Sequence, residues 1–381
     1  MTPSARVQAA VEIVDQVIAS ARDNGPPADA LVTAYFKTRR YAGSKDRRAV
    51  RELVFGAIRH SAEVPASGRS ALLAVAPELF DGSGHGPAAA GEGERAAAPG
   101  IVPEWLLAEL SPLVEVDARL IERAPLDLRA KPPRDAVTEE LPGAEPTPLS
   151  PWGLRLPTDA RVTDLPVFAQ GRVEVQDEGS QLVALAALPG PGALVVDLCA
   201  GAGGKSLAIA AAEPGARIVA CDVSRARLAP LTARAERAGA VIETRLLDAP
   251  REAEGLADLV GRADVVLVDA PCSGSGTWRR NPEGRWRLNA DRLERLLQLQ
   301  ARGLDLAAPL VRPGGSLIYA VCSLLSREGA AQAAEFLSRH SGFEAEDTSL
   351  AGGRSEGVGR ILTPGQDGTD GFFIARFRST P

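Results

Sequence analysis

Two cysteines sit where chemistry can use them. Cys272 lies in the run Asp269-Ala270-Pro271-Cys272-Ser273-Gly274-Ser275-Gly276, and Cys322 in Tyr319-Ala320-Val321-Cys322-Ser323. Each run leaves a short apolar stretch that reads as a buried strand. Each thiol therefore falls at a strand-to-loop exit, beside small polar residues. A thiolate in such a place is a nucleophile. The other two cysteines differ. Cys221 lies within an apolar strand and Cys199 within a glycine turn, where a lone cysteine is normally a small buried hydrophobe. No two cysteines show the close spacing of a zinc site, and His60, His85 and His340 do not complete one, so no metal is expected.

The glycine turn is Asp197-Leu198-Cys199-Ala200-Gly201-Ala202-Gly203-Gly204-Lys205-Ser206. It follows an apolar run and opens a helix. Glycines there let the backbone approach a ligand and leave helix N–H groups available. A Walker phosphate loop needs glycine where Cys199 stands, and a dinucleotide fingerprint needs one where Ser206 stands. The acids around the turn say more. Asp222 closes the second strand, in position to accept both hydroxyls of a ribose. Asp248 follows the third, in reach of an adenine amino group, and Asp269 follows the fourth. Any one of them alone reads as a cap or turn residue. Together they converge on the carboxyl edge of a sheet, where such folds bind ligands. S-adenosylmethionine fits this set better than a nucleoside triphosphate. Its candidate contacts are Cys199, Ala200, Gly201, Ala202, Gly203, Gly204, Lys205, Asp222, Asp248 and Asp269.

The elements that position these groups alternate. Apolar runs at 193–198, 217–221, 241–246, 265–268 and 316–320 are separated mostly by helical stretches at 205–212, 224–238, 290–308 and 328–339. This pattern predicts a parallel, doubly wound, Rossmann-like sheet over 171–381, completed by a strand at 371–377. Residues 1–80 read as helical. Between 35 and 60 lie eight basic and two acidic residues, a local charge of +6. Arg39, Arg40, Lys45, Arg47 and Arg48 are its candidate RNA contacts, against the plainer reading of a solvated helix face. Residues 81–100 are rich in Gly, Ala and Pro and predict a flexible linker. Residues 101–170 predict a small α+β module. Arg279, Arg280, Arg285 and Arg287, with Trp278 and Trp286, follow Cys272 and suit phosphate contact and base stacking, or equally an arginine-rich surface.

The 381 residues suggest two or three domains. The 45% hydrophobic fraction excludes a chain disordered throughout. No run approaches the roughly 18 apolar residues of a membrane span, and the N-terminus lacks a signal-peptide pattern, so a cytoplasmic protein is expected. The net charge of −6 argues against RNA binding by the whole surface, not by a local patch.

The runs DLCAGAGGKS, DAPCSGSGTWRRNPEGRW and GGSLIYAVCS resemble the signature of the Nop/Sun family of RNA cytosine-5 methyltransferases, and VQDEGSQLVA resembles the segment before its cofactor motif. RRYAGSKDRRAVRELVFGAIRH is similar to the NusB-like RNA-binding domain of the bacterial RsmB-type members, which act on small-subunit ribosomal RNA. RAPLDLRAKPPRD is more loosely similar to the family's small module. The resemblance implies that Cys322 is the nucleophile, that Cys272 assists proton removal and release, that Asp269 hydrogen-bonds the reacting ring, and that Lys205 belongs to the cofactor pocket. Val321 stands where the family commonly has Thr. Two other readings remain. A DNA cytosine-5 methyltransferase would use Cys272 as nucleophile and needs a Glu-Asn-Val motif, which is not evident. A non-catalytic RNA-binding or ribosome assembly factor would not need both cysteines. A monomer is the default expectation.

Overall fold

The computed structural model describes residues 1–380 apart from 24 and 159. Its contacts divide the chain into two compact units. One comprises Met1–Leu110, Glu115–Arg123 and Thr277–Ala290; the other comprises Ser111–Val114, Ala124–Gly276 and the chain from Asp291 onward.

The first unit is built on helices α1 (Pro3–Arg22), α2 (Ala28–Lys37), α3 (Ser44–His60) and α4 (Gly68–Leu73). Thr2 caps α1 by accepting the Ala5 N–H, and proline opens its first turn, where no N–H partner is lost. Val7, Val14, Val17 and Ile18 then line one face, buried with Val50, Val54 and Ile58 of α3. The stretch 81–100 has little regular structure, yet it is tied down. Ala97 N–H donates to the Ser70 carbonyl at 2.9 Å and Gly100 N–H to that of His60 at 2.8 Å. The Arg69 guanidinium donates to the carbonyls of Ala88 and Ala89. Composition predicts flexibility there because it does not reveal backbone pairing.

Residues 277–290 also pack into this unit, which corrects the sequence expectation for them. Trp278 is 1% exposed, Trp286 6% and Arg285 1%, so they form neither a stacking surface nor an arginine-rich exterior. The Arg285 guanidinium donates to the carbonyls of Ile58 (2.6 Å), Ile101 (2.7 Å), Pro282 (3.0 Å) and Gly100 (3.2 Å). Trp286 Nε1 donates to the Ser61 carbonyl at 3.1 Å, and Arg287 to those of Gly25 and Pro26. Arg279 and Arg280 are half-buried and carry intramolecular contacts of their own.

The second unit holds two sheets. The smaller is antiparallel: β1 (Leu126–Ala130), β2 (Glu145–Pro146), β3 (Gly153–Leu156) and β4 (Val173–Val175), in the order β2-β3-β1-β4. This α+β portion therefore runs past residue 170, while most of 101–123 packs with the helices. The larger sheet contains β5 (Leu194–Asp197), β6 (Arg217–Asp222), β7 (Ile242–Leu246), β8 (Ala263–Asp269), β9 (Val311–Val321), β10 (Phe343–Glu346), β11 (Arg354–Glu356), β12 (Gly359–Leu362) and β13 (Phe372–Ser379). Its order is β11-β12-β13-β9-β8-β5-β6-β7, with β10 also on β13. Strands β5 to β9 are mutually parallel, as the alternation predicts. The terminal strand β13 is antiparallel to β9, so the sheet is mixed. The helices α5 (Glu178–Ala186), α6 (Gly204–Ala212), α7 (Arg225–Ala238), α8 (Ala290–Ala307) and α9 (Gln332–Arg339) accompany it. Strand β5 is the middle one of the five parallel strands, and adjacent β8 and β9 carry the two cysteine loops at their carboxyl ends.

Candidate active site

Strands β8 and β9 run parallel in register, with Asp269 opposite Ala320. Their exits continue side by side. Ala270 N–H donates to the Ala320 carbonyl at 2.9 Å, Gly276 N–H to that of Cys322 at 3.1 Å, and Leu324 N–H to Ser275 Oγ at 2.8 Å. Gly276 must be glycine, since a Cβ there would lie 2.0 Å from the Gly371 carbonyl oxygen. This pairing brings the Cys272 and Cys322 sulfurs to 3.3 Å, within hydrogen-bond range. Both cysteines are half-buried. The hydrogen bond from Cys322, and then burial, push the Cys272 thiol well above the ordinary range. Its neighbour and its burial thus both favour the protonated form of Cys272.

Lys205 lies at the start of α6. Its Nζ donates to Asp269 Oδ2 at 2.6 Å, with side chains 10% and 27% exposed. Burial alone would lower the ammonium's pKa, but the charge and hydrogen bond of Asp269 outweigh it and the net shift is upward; Cys322 adds in the same direction. The turn before α6 places Gly203 at φ +76°, and a Cβ there would meet Leu231 Cδ1 at 2.1 Å. Asp222 Oδ2 accepts the Gly201 N–H at 2.9 Å, and its Oδ1 accepts that of Ser224 at 2.8 Å. It therefore does the work of a turn residue as well as offering lone pairs to a ligand. Asp248 is exposed beyond β7 and is held by Arg251. The structure thus joins Cys272 to Cys322 and Lys205 to Asp269 by direct contact, and Asp222 to the glycine turn.

Cys199 and Cys221 keep the plainer reading. Burial pushes the first thiol far up and the second up to about 12, so neither is a ready nucleophile.

Two groups escaped the sequence reading. Asp197, at the end of β5, is 1% exposed; burial pushes its carboxyl up to about 6 although Ser206 Oγ donates to it at 2.7 Å. Its Oδ1 is buried with no hydrogen-bond partner. Glu328 is fully buried beneath the cysteine loops. In sequence it stands only as the first residue of the helical stretch 328–339.

The basic run lies on the first unit. Arg40 and Lys45 are exposed. The others are engaged. Arg39 stacks 3.6 Å over the Tyr35 ring and pairs with Glu12. Arg47 Nε donates to the Ala42 carbonyl at 2.9 Å, and Arg48 pairs with Glu52 at 3.2 Å. Among the described residues, no helix is long and apolar enough to cross a membrane, and no three His, Cys, Asp or Glu side chains group to hold a metal ion.

A model of the family described as 16S rRNA methyltransferase RsmB/F matches residues 184–378, just over half of the chain. The chain belongs to this family. Its relatives include ribosomal RNA small subunit methyltransferase B of Xanthomonas campestris pv. campestris, 39% identical over 233 residues, which are 61% of this chain and 53% of that protein. The chain spans about half the length of the curated relatives it matches. Among solved structures, a methyltransferase homolog protein from Pyrococcus horikoshii superposes with a TM-score of 0.59 at 26% identity, covering 68% of this chain and 88% of that one. The protein PH0851 gives a TM-score of 0.76 over 99% of each chain; at 21% identity this is a likeness of fold. The Rossmann-like α/β methyltransferase fold of this RsmB/F member is thereby established.

Proposed function

We propose that the chain methylates carbon-5 of a cytosine in RNA, using S-adenosylmethionine, and that the RNA is small-subunit (16S) ribosomal RNA. The observation that carries this reading is the pair of thiols 3.3 Å apart at the ends of adjacent parallel strands, beside the Lys205–Asp269 pair. One thiol suffices for a nucleophile; a second makes sense where the first must also be expelled.

The residues around the glycine turn suit the cofactor. Asp197 Oδ1 is a buried acceptor without a partner, and Gly201 and Gly203 take left-handed conformations that keep side chains out of the cradle. Backbone groups of 199–204, with Lys205 and Asp222, would hold it, and Asp248 would complete the set on release from Arg251. When bound, the cofactor supplies an electrophilic methyl group.

Carbon-5 of cytosine is a weak nucleophile. Cys322 as thiolate adds to carbon-6 and pushes electron density onto carbon-5, dividing one hard step into easier ones. Asp269, fixed by Lys205, would hydrogen-bond the ring nitrogen that gains a proton. Once the Cys322 sulfur is bonded to carbon, the hydrogen bond that chiefly held the proton on Cys272 is gone. Cys272 can then titrate, serve removal of the carbon-5 proton and allow the carbon–sulfur bond to break. The base must be unpaired or flipped to reach the thiols. The helical unit, resembling a NusB-like domain, would anchor the RNA through Arg40 and Lys45, with Arg39, Arg47 and Arg48 shaping that surface.

A denaturing gel tests this with unmodified 16S ribosomal RNA and cofactor. Cys272→Ala should give a slow-migrating protein–RNA adduct, and Cys322→Ala and the double variant none. An adduct with Cys322→Ala would reverse the roles in favour of the DNA-type mechanism. No adduct in any variant would sink the covalent reading.

A further inference from the structure

Glu328 touches both cysteine loops. Its Oε1 accepts the Ser273 N–H at 2.8 Å and Gln300 Nε2 at 2.9 Å. Its Oε2 accepts Ser323 Oγ at 2.6 Å and, in a very short contact, Ser273 Oγ. Ser273 and Ser323 are the residues immediately after Cys272 and Cys322. Gln300 Nε2, reaching in from α8, also donates to the Pro271 carbonyl at 3.0 Å. The Glu328 backbone carbonyl accepts Tyr319 Oη at 2.6 Å. The turn that presents Glu328 is itself irregular: Arg327–Ala331 makes one π-type turn ahead of α9, a distortion that often accompanies function. A fully buried carboxylate is costly unless its hydrogen bonds serve it. Here nearly all of them end on the two loops.

We propose that Glu328 is a positioning residue that binds the two cysteine loops together and, through its charge, fixes the acid–base role of Cys272. This rests on the two-thiol reading above. The groups facing Cys272 are Cys322 just past the end of β9, Glu328 from the π-type turn and Tyr319 from within β9; Lys205, paired with Asp269, faces Cys322. The hydrogen bond with Cys322 and burial hold the proton on Cys272, and the negative charge of Glu328 adds to them by disfavouring an anion there.

The test is iodoacetamide alkylation of each cysteine at pH 9, read by peptide mass spectrometry, beside steady-state methyl transfer and a thermal melt. In Glu328→Gln, Cys272 should label about tenfold faster, the effect of roughly one pKa unit. Its kcat should fall at least about tenfold with KM for RNA within about twofold, since geometry and not binding is lost. Glu328→Asp keeps the charge and should return labelling towards wild type while the rate stays low. If Glu328→Gln fails to fold, Ser273→Ala removes one tether and keeps the charge; it should slow turnover and leave Cys272 labelling unchanged. Unchanged labelling in a folded Glu328→Gln, or a rate loss wholly in KM, overturns the proposal. Faster labelling in Glu328→Gln with no adduct from Cys272→Ala would keep Glu328's role and sink the methylation reading instead.

Discussion

Two consecutive stretches of this chain put polar residues to opposite ends. Residues 269–276 form the exit of β8, and residues 277–290 follow without a break. In the first, polar groups are held in readiness: two sulfurs share one hydrogen bond, and Asp269 stays 27% exposed although Lys205 holds it. Nearby, buried Asp197 keeps one oxygen without a partner. In the second, Arg285 serves structure, its buried guanidinium closed off by backbone carbonyls. A buried charge satisfied by carbonyls stabilises; a buried charge left short of partners stores a cost that a ligand can relieve. The difference lies in the partners each polar group finds.

That contrast predicts substitutions of opposite sign. Arg285→Ala leaves the carbonyls of Ile58, Gly100 and Ile101 buried without their donor. It should cost about 3 kcal/mol or more, seen as a lower urea midpoint. Arg285→Lys should recover less than half of that, since a single ammonium cannot span the fork. A loss under about 1 kcal/mol would mean that water replaces the guanidinium and the contrast fails.

Asp197→Asn should do the reverse. The folded carboxyl titrates near 6, above its ordinary 3.8, because burial favours the neutral form. The folded state therefore holds this proton more tightly than the unfolded chain does. The group favours folding at pH below about 4, loses that advantage as pH rises through about 6, and carries an uncompensated charge above it. Asn is neutral throughout. Melting temperatures of variant and wild type should agree near pH 3, and the variant should lead at pH 8 by about 7 °C, the effect of about 3 kcal/mol. Calorimetric titration should show weaker cofactor binding at the same time. A variant less stable at pH 8 would show that the carboxylate is already satisfied.

The same contrast explains what was legible in the sequence. Strands β5 to β9 and the placement of Cys272, Cys322, Asp222 and Asp269 follow from apolar runs and from where parallel strands end. These are local signals. The antiparallel strand β13 was visible as a strand but not in direction, because direction depends on which neighbour it pairs with. Trp278, Trp286 and Arg285 were read as exposed because arginine usually is; only carbonyls distant in sequence, at 58 and 101, reveal otherwise. Glu328 was unreadable for a like reason, since its two loops lie 50 residues apart at their serines.

The smallest effect concerns the basic run, where arginine again divides into two uses. Arg39 and Arg47 are braced against Tyr35 and the Ala42 carbonyl, whereas Arg40 and Lys45 stand clear. Removing the second pair should leave stability within about 0.5 kcal/mol of wild type. If RNA phosphates lie there, Arg40→Ala with Lys45→Ala should weaken binding of the 16S RNA several-fold and reduce the salt dependence of binding by about two ions. Arg47→Ala should act differently, lowering the melting temperature through the loop it braces. Filter binding at several salt concentrations separates these outcomes. An unchanged slope for the double variant would make the run a solvated helix face. Arginine in this unit would then divide between structure, as at Arg285, and plain solvation, as at Arg40.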